Sequence, residues 1–207
     1  MNALKCLLPL SLLALAGCSI LGSAQRDPVT IYSPEIHVKA DPAWPTVDWS
    51  LVIVKPTAAR LIDSPRINVR PVPGEMQVYR GVSWAQPATD IVQDAVLRTL
   101  EDSGRIGAVA SADAGIRADY KLVMDIRRFE SDYADQSTPS AVVEVSAKLV
   151  YNRDQRVVVA RTFVQRQAAS GTDTAQVVSA FEGALSDFSR EITGWVLANG
   201  QPSSAAR

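Results

Sequence analysis

The sequence predicts an α+β domain: a mixed, largely antiparallel sheet, made of a β-hairpin plus a three-stranded meander, covered by two amphipathic helices. Three observations carry this. Residues 118–166 alternate apolar and polar side chains over long runs joined by short polar turns, the pattern of antiparallel strands with one buried face. Residues 87–104 and 174–197 repeat apolar side chains every three or four positions, the pattern of helices with one buried stripe. Between residues 47 and 87, short apolar runs are punctuated by Pro56, Pro71, Pro73 and Gly74, as strands separated by turns are.

Each element has its own warrant. Val29-Thr30-Ile31-Tyr32 alternates and predicts a first edge strand, ended by Ser33-Pro34. Trp49 to Val54 is a mostly apolar run, the pattern of a buried strand, and Lys55-Pro56 ends it. Arg66-Ile67-Asn68-Val69-Arg70 alternates with Ile67 and Val69 inward, and Met76, Val78 and Tyr79 return from the Pro71–Gly74 turn as a hairpin partner. Thr89 is placed to cap the first helix, Asp90 suits its positive end, and Gly104 stops it. Its apolar face is Val92, Ala95, Val96, Thr99 and Leu100. Trp84, just upstream, reads as a core plug in preference to an exposed recognition aromatic.

In the meander, Tyr120, Leu122, Met124 and Ile126 share one face, and a bulge near Arg127-Arg128 is needed to bring Phe129 back to it. Val143, Val145, Ala147, Leu149 and Tyr151 line the next strand. Asn152–Gln155 turns, and Val157, Val159 and Phe163 continue on the third. Asp173 with Gln176 fits a capping box for the second helix. Its stripe, Val178, Phe181, Leu185, Phe188, Ile192 and Trp195, is read as the cover of the sheet in preference to a coiled-coil seam.

The amino terminus has a different character. Lys5 precedes an apolar run from about Leu7 to Ala16, which is of signal length and too short for the ~20 residues of a membrane-spanning helix. The run closes on Leu15-Ala16-Gly17-Cys18, the pattern of a bacterial lipoprotein signal. On this reading Leu15, Ala16 and Gly17 are the recognition residues of the signal peptidase. Cleavage makes Cys18 the first residue, and it carries acyl chains such as palmitate. Several chains on one cysteine anchor stably, since each buried methylene adds about 0.8 kcal/mol. The expected organisation is residues 1–17 as lipoprotein signal peptide, 18–46 as lipidated cysteine and proline-rich tether, 47–199 as the α+β domain, and 200–207 as a disordered tail.

The totals restrict the function classes. A formal charge of −1 over 207 residues, with no long basic block, offers no field for nucleic acid. The two cysteines, Cys6 and Cys18, both precede the body, so the domain has no disulfide to rely on. A histidine-based triad would rest on His37, the one histidine, in a poorly patterned stretch. No His-Glu-x-x-His, Cys-x-x-Cys or phosphate-cradling glycine loop is present. Asp119, Asp125 and Glu130 read as solvated strand faces and turns rather than an acid–base pair. Neither a catalytic residue, nor a metal ligand, nor a cofactor site is expected.

The order of these features resembles the ABC-type transport auxiliary lipoprotein family, which includes the PqiC-like outer-membrane lipoproteins. The resemblance runs through the lipobox ending at Cys18, Ile31-Tyr32 with Pro34, and Leu61-Ile62-Asp63-Ser64-Pro65-Arg66-Ile67. It continues through Tyr79 to Trp84-Ala85-Gln86-Pro87, Ala118-Asp119-Tyr120 with Phe129-Glu130, and Ser189-Arg190-Glu191-Ile192. It implies a non-enzymatic auxiliary or docking subunit of an ABC/MCE-type system for phospholipid trafficking that maintains the envelope. The implied place is the outer membrane, lipid-anchored through Cys18 and facing the periplasm, and Ser19 is a residue that permits export there. The implied partners are an MCE-domain protein and ABC transporter components, with a homo-oligomer as a further expectation. The alternatives are a periplasmic lipid carrier and an envelope assembly or secretion lipoprotein.

Overall fold

The computed structural model describes residues 28–134 and 136–200. Along them run the strands β1 (Thr30–Tyr32), β2 (Val47–Ile53), β3 (Thr57–Ala58), β4 (Asn68–Arg70), β5 (Gln77–Val78) and β6 (Val82–Trp84). Helix α1 (Ala88–Ser103) and β7 (Ile106–Ser111) follow, then β8 (Tyr120–Asp132), β9 (Ser140–Tyr151), β10 (Arg156–Ala168) and helix α2 (Thr174–Asn199). The main sheet has the order β10-β9-β8-β2-β7, with β3 and β4 also beside β8 and β5 beside β4.

The meander forms as the alternation requires. β8 and β9 pair antiparallel from Tyr120↔Tyr151 to Asp132↔Ser140, and β9 pairs antiparallel with β10. The register shifts between Ile126 and Arg128, and this bulge returns Phe129 to the buried face. β4 and β5 make the expected antiparallel hairpin. The sheet is mixed because β2, β3 and β4 all lie parallel to β8.

The strand β7 lies outside the sequence expectation. It runs parallel to β2, with α1 as the crossover between them. Its sequence, Ile-Gly-Ala-Val-Ala-Ser, is small rather than alternating, and the packing explains one of these residues. A Cβ at Gly107 would lie 3.1 Å from the Asp48 carbonyl oxygen. The predicted edge strand at residues 29–32 also forms, but in a separate two-stranded parallel sheet with β6.

The two helices depart from expectation at one point. α1 opens at Pro87, whose extended backbone (ψ 153°) leads into the helix, so Thr89 is inside and does not cap it. The Thr89 hydroxyl instead donates to Asp63 Oδ1 at 2.6 Å, tying the helix to the preceding loop. Gly104 ends α1 at φ 60°, as a left-handed cap. α2 carries the Asp173/Gln176 capping box. Val178, Phe181, Leu185, Phe188 and Ile192 are buried in the core against the sheet, and Trp195 is half-buried. The stripe is therefore a cover within one chain. Trp84 is a core residue, edge-on to Phe181 at 5.2 Å and to Phe129 at 6.0 Å.

Packed structure begins ahead of Val47. Trp44 is 8% exposed and joins the core, with its indole over α2 where Gly194 leaves room. A Cβ at Gly194 would lie 2.6 Å from Trp44 Nε1. Gly194→Ala should cost about 1–3 kcal/mol through overpacking, although Ala is the better helix former. Thermal unfolding checks this: the midpoint should fall by ~2–4 °C per kcal/mol, and a Trp44→Ala background should remove most of the difference.

Candidate functional site

The strongest charge constellation is built on β8, joined by one arginine from the neighbouring β4 and one that reaches across β9 from β10. On β8, Arg128, Glu130 and Asp132 follow the bulge at alternate positions and so share one face. Arg70, which ends β4, donates from Nε to Glu130 Oε1 at 2.8 Å. Arg128 donates to the same oxygen from Nε at 2.9 Å and Nη2 at 2.7 Å. Arg128 Nη2 also reaches Asp132 Oδ2 at 2.7 Å, and Arg166 of β10 reaches it at 3.2 Å. The Ala134 N–H donates to Asp132 Oδ1 at 3.0 Å.

Glu130 is 1% exposed. Its reading as a solvated strand-face carboxylate is therefore corrected: β4 and β9 flank its strand, and the Arg70 and Arg128 guanidinium groups hold it. The alternation Arg-x-Glu-x-Asp was the available signal, since opposite charges two residues apart on a strand share a face. What the sequence did not show was Arg70 and Arg166, which arrive only through the fold. Burial works to raise the Asp132 carboxyl, but the bonds from Arg128, Ala134 and Arg166 overcome it and hold it below its ordinary value. On the other face of β8, the Tyr79 hydroxyl meets Ser131 Oγ at 3.1 Å, and burial pushes this phenol up to about 12.

The remaining singled-out residues are dispersed. Asp119 accepts from the backbone N–H and the hydroxyl of Ser50, both at 2.8 Å, and so joins β2 to the start of β8. Asp125 accepts from Thr57 Oγ1 at 2.7 Å on the exposed surface. His37 is exposed, with Glu35 at 3.8 Å. Cys18 and the recognition residues Leu15, Ala16 and Gly17 lie outside the described residues, as do residues 201–207 of the expected tail. Among the described residues no helix is long and apolar enough to cross a membrane. Nor do three His, Cys, Asp or Glu side chains converge there as a metal site would need.

The fold and its charge network define a class of protein: an α+β module that pins strands together with ion pairs. The family model for ABC-type transport auxiliary lipoprotein components matches residues 30–193, and the chain belongs to that family. It is a family of transport auxiliary lipoproteins, not of enzymes. The crystal structure of protein XCC0632 from Xanthomonas campestris is 58% identical to this chain, with a TM-score of 0.81, covering 84% of this chain and 97% of that one. A second crystal structure, of an uncharacterised protein, has a TM-score of 0.64 at 13% identity, covering 82% of this chain and 99% of the other, a likeness of fold alone. An uncharacterised protein of Bradyrhizobium diazoefficiens, bll6063, is 29% identical over 177 residues. That match takes in 85% of this chain but 47% of bll6063, so the chain spans about half the length of that relative.

Two outcomes follow from the network. Arg128→Ala should destabilise by about 3 kcal/mol, at the low end for stripping a partner from a buried ion because Arg70 remains on Glu130. Urea titration reads this directly. The Asp132 carboxyl is held below its unfolded value of about 3.9, so its stabilisation is full above that pH and is lost as pH falls through the folded value. Unfolding followed between neutral and strongly acid pH should show this loss, and Asp132→Asn should flatten it.

Proposed function

We propose that this chain is a periplasm-facing, outer-membrane lipoprotein held by acylated Cys18. In this reading it acts as a non-enzymatic docking subunit of an ABC/MCE-type phospholipid transport system that maintains the envelope. The observation that carries the proposal is the family match over residues 30–193 to transport auxiliary lipoproteins. The Leu15-Ala16-Gly17-Cys18 tetrad supports the anchor, and Ser19 supports export to the outer membrane.

The packing favours docking over carriage of lipid. The space between the meander and α2 is filled by Phe129, Phe163, Phe181, Leu185 and Phe188, all buried, which leaves no room there for an acyl chain. A rigid filled body presents fixed edges and loops to a partner. β10 and β7 end the main sheet order, and the β7 edge is the one at which copies of this chain associate in the proposed homo-oligomer. Such an assembly repeats a weak docking site and raises its avidity. A formal charge of −1 without a long basic block supports protein and membrane partners over nucleic acid.

Two measurements test this. Cys18→Ala should move the chain from the membrane to the soluble fraction, and membrane retention of that variant would sink the anchor. A cross-linked pull-down on tagged full-length chain should recover an MCE-domain protein or its ABC transporter. Stoichiometric phospholipid without those proteins would instead indicate a carrier, and a secretion or assembly protein would assign the chain to another envelope machine.

A further inference from the structure

One end of the described body gathers exposed apolar side chains and unpaired arginines. β1 lies on β6: the Thr30 N–H donates to the Gly81 carbonyl at 2.9 Å, and the Ala85 N–H donates to the Tyr32 carbonyl at 2.8 Å. On the other side of β6, the Trp84 N–H donates to the Pro65 carbonyl at 2.7 Å. The segments around residues 30, 83 and 65 therefore lie side by side, and about 10 Å separates the outer two. The Leu61 turn is fastened to this group, since its carbonyl accepts from Ser64 Oγ at 2.8 Å and Asn68 Nδ2 at 3.3 Å.

The side chains divide by face. Tyr32, Val82 and Trp84 turn to the core. Val29 and Ile31 alternate with Tyr32 and are 57% and 65% exposed, and Leu61 is 42% exposed. Leu61 sits with Arg60, Ser64 and Arg66 around an open hollow of about 500 Å³. Arg60, Arg66 and Arg80 are exposed, and none has an ion pair among the described residues. Of the carboxylates in these loops, Asp63 accepts from Thr89 and Glu75 from Gln77.

Apolar side chains ringed by free arginines match the interface of an anionic bilayer, where the apolar groups enter the headgroup boundary and the guanidinium groups meet phosphates. The position in the chain selects this occupant. Val29 stands at the start of the described body, and from Cys18 to Pro28 the chain reaches at most about 33 Å, at ~3.3 Å per residue. We propose that this end, with Val29, Ile31 and Leu61 at its centre and Arg60, Arg66 and Arg80 around it, seats on the anionic lipid surface to which Cys18 tethers the chain. The proposal rests on the lipid-anchor reading and adds an orientation to it: β1 faces the membrane.

The test uses full-length chain carrying Ile31→Cys, Leu61→Cys or, outside the patch on β10, Val164→Cys. Processing and acylation leave the introduced thiol as the free one for a nitroxide label, and the intact mass reports whether Cys18 is acylated. In phosphatidylethanolamine–phosphatidylglycerol vesicles, labels at positions 31 and 61 should lose collisions with an aqueous nickel chelate, while the label at 164 keeps them. Adding Arg60→Glu and Arg66→Glu should restore the collisions. Equal accessibility at 31 and 164 would overturn the proposal. So would a short distance between labels at position 31 of two chains on the vesicle, because a second copy would then be covering the patch.

If the mass shows no acylation, the anchor reading fails by itself, and the patch is tested by floating wild-type chain with the same vesicles. Each arginine should contribute about fivefold to partitioning. Flotation abolished by the paired Arg→Glu changes supports the patch, and its absence in wild type overturns it.

Discussion

The architecture depends on one helix face meeting one sheet face. α2 sets Val178, Phe181, Leu185, Phe188 and Ile192 on a single stripe, and the meander offers Leu122, Met124, Phe129, Val143, Val145, Leu149 and Phe163 opposite it. At roughly 1.5–3 kcal/mol for each large apolar side chain taken from water, this contact is the principal favourable term available to a body without cysteine. Other parts are attached to it. Trp84 brings β6 to Phe129 and Phe181, and through β6 the small sheet with β1. Trp44 brings the stretch before β2 onto Gly194. Loss of the stripe would therefore release both sheets.

The outer end of β8 is held differently. Beyond the bulge its outward positions are Arg128, Glu130 and Asp132, and β4 and β10 contribute Arg70 and Arg166. A buried ion network contributes little net stability compared with apolar packing, but it penalises misalignment, because a shifted strand leaves a carboxylate enclosed and unpaired. β4 is three residues long and lies parallel to β8, far from it in sequence. Such a strand has few ladder bonds to specify its register. The Arg70–Glu130 pair supplies that specification, and it is screened by salt less than surface pairs would be.

Legibility in the sequence followed the range of the causes. The alternation in β8 and β9, the helical stripe of α2, the capping box at Asp173 and the Gly104 stop are short-range patterns, and the structure forms them. Phe129 was recoverable because its wrong phase required a bulge. The failures are long-range. β7 has no alternation to read, because its place is set by the crossover from β2 and the close Asp48 backbone. Thr89 looked like a cap, but Asp63, distant in sequence, takes its hydroxyl. Glu130 looked solvated because Arg70 reaches it, and Arg166 reaches the neighbouring Asp132, only after the strands assemble.

The same division bears on how a membrane-held module of this family is built. A tether alone fixes distance and leaves orientation free, so a docking face would point toward a partner only part of the time. Orientation needs a second weak contact with the same surface, and that contact must be rigidly joined to the docking face. Here β1 is short and its apolar side chains are exposed, yet backbone bonds tie it to β6, and Trp84 of β6 is sealed in the core with Phe181 of α2. A force applied at β1 is thus transmitted to the helix that organises the whole sheet. The exposed apolar strand is thereby fixed rigidly to the helix and sheet that make up the rest of the body.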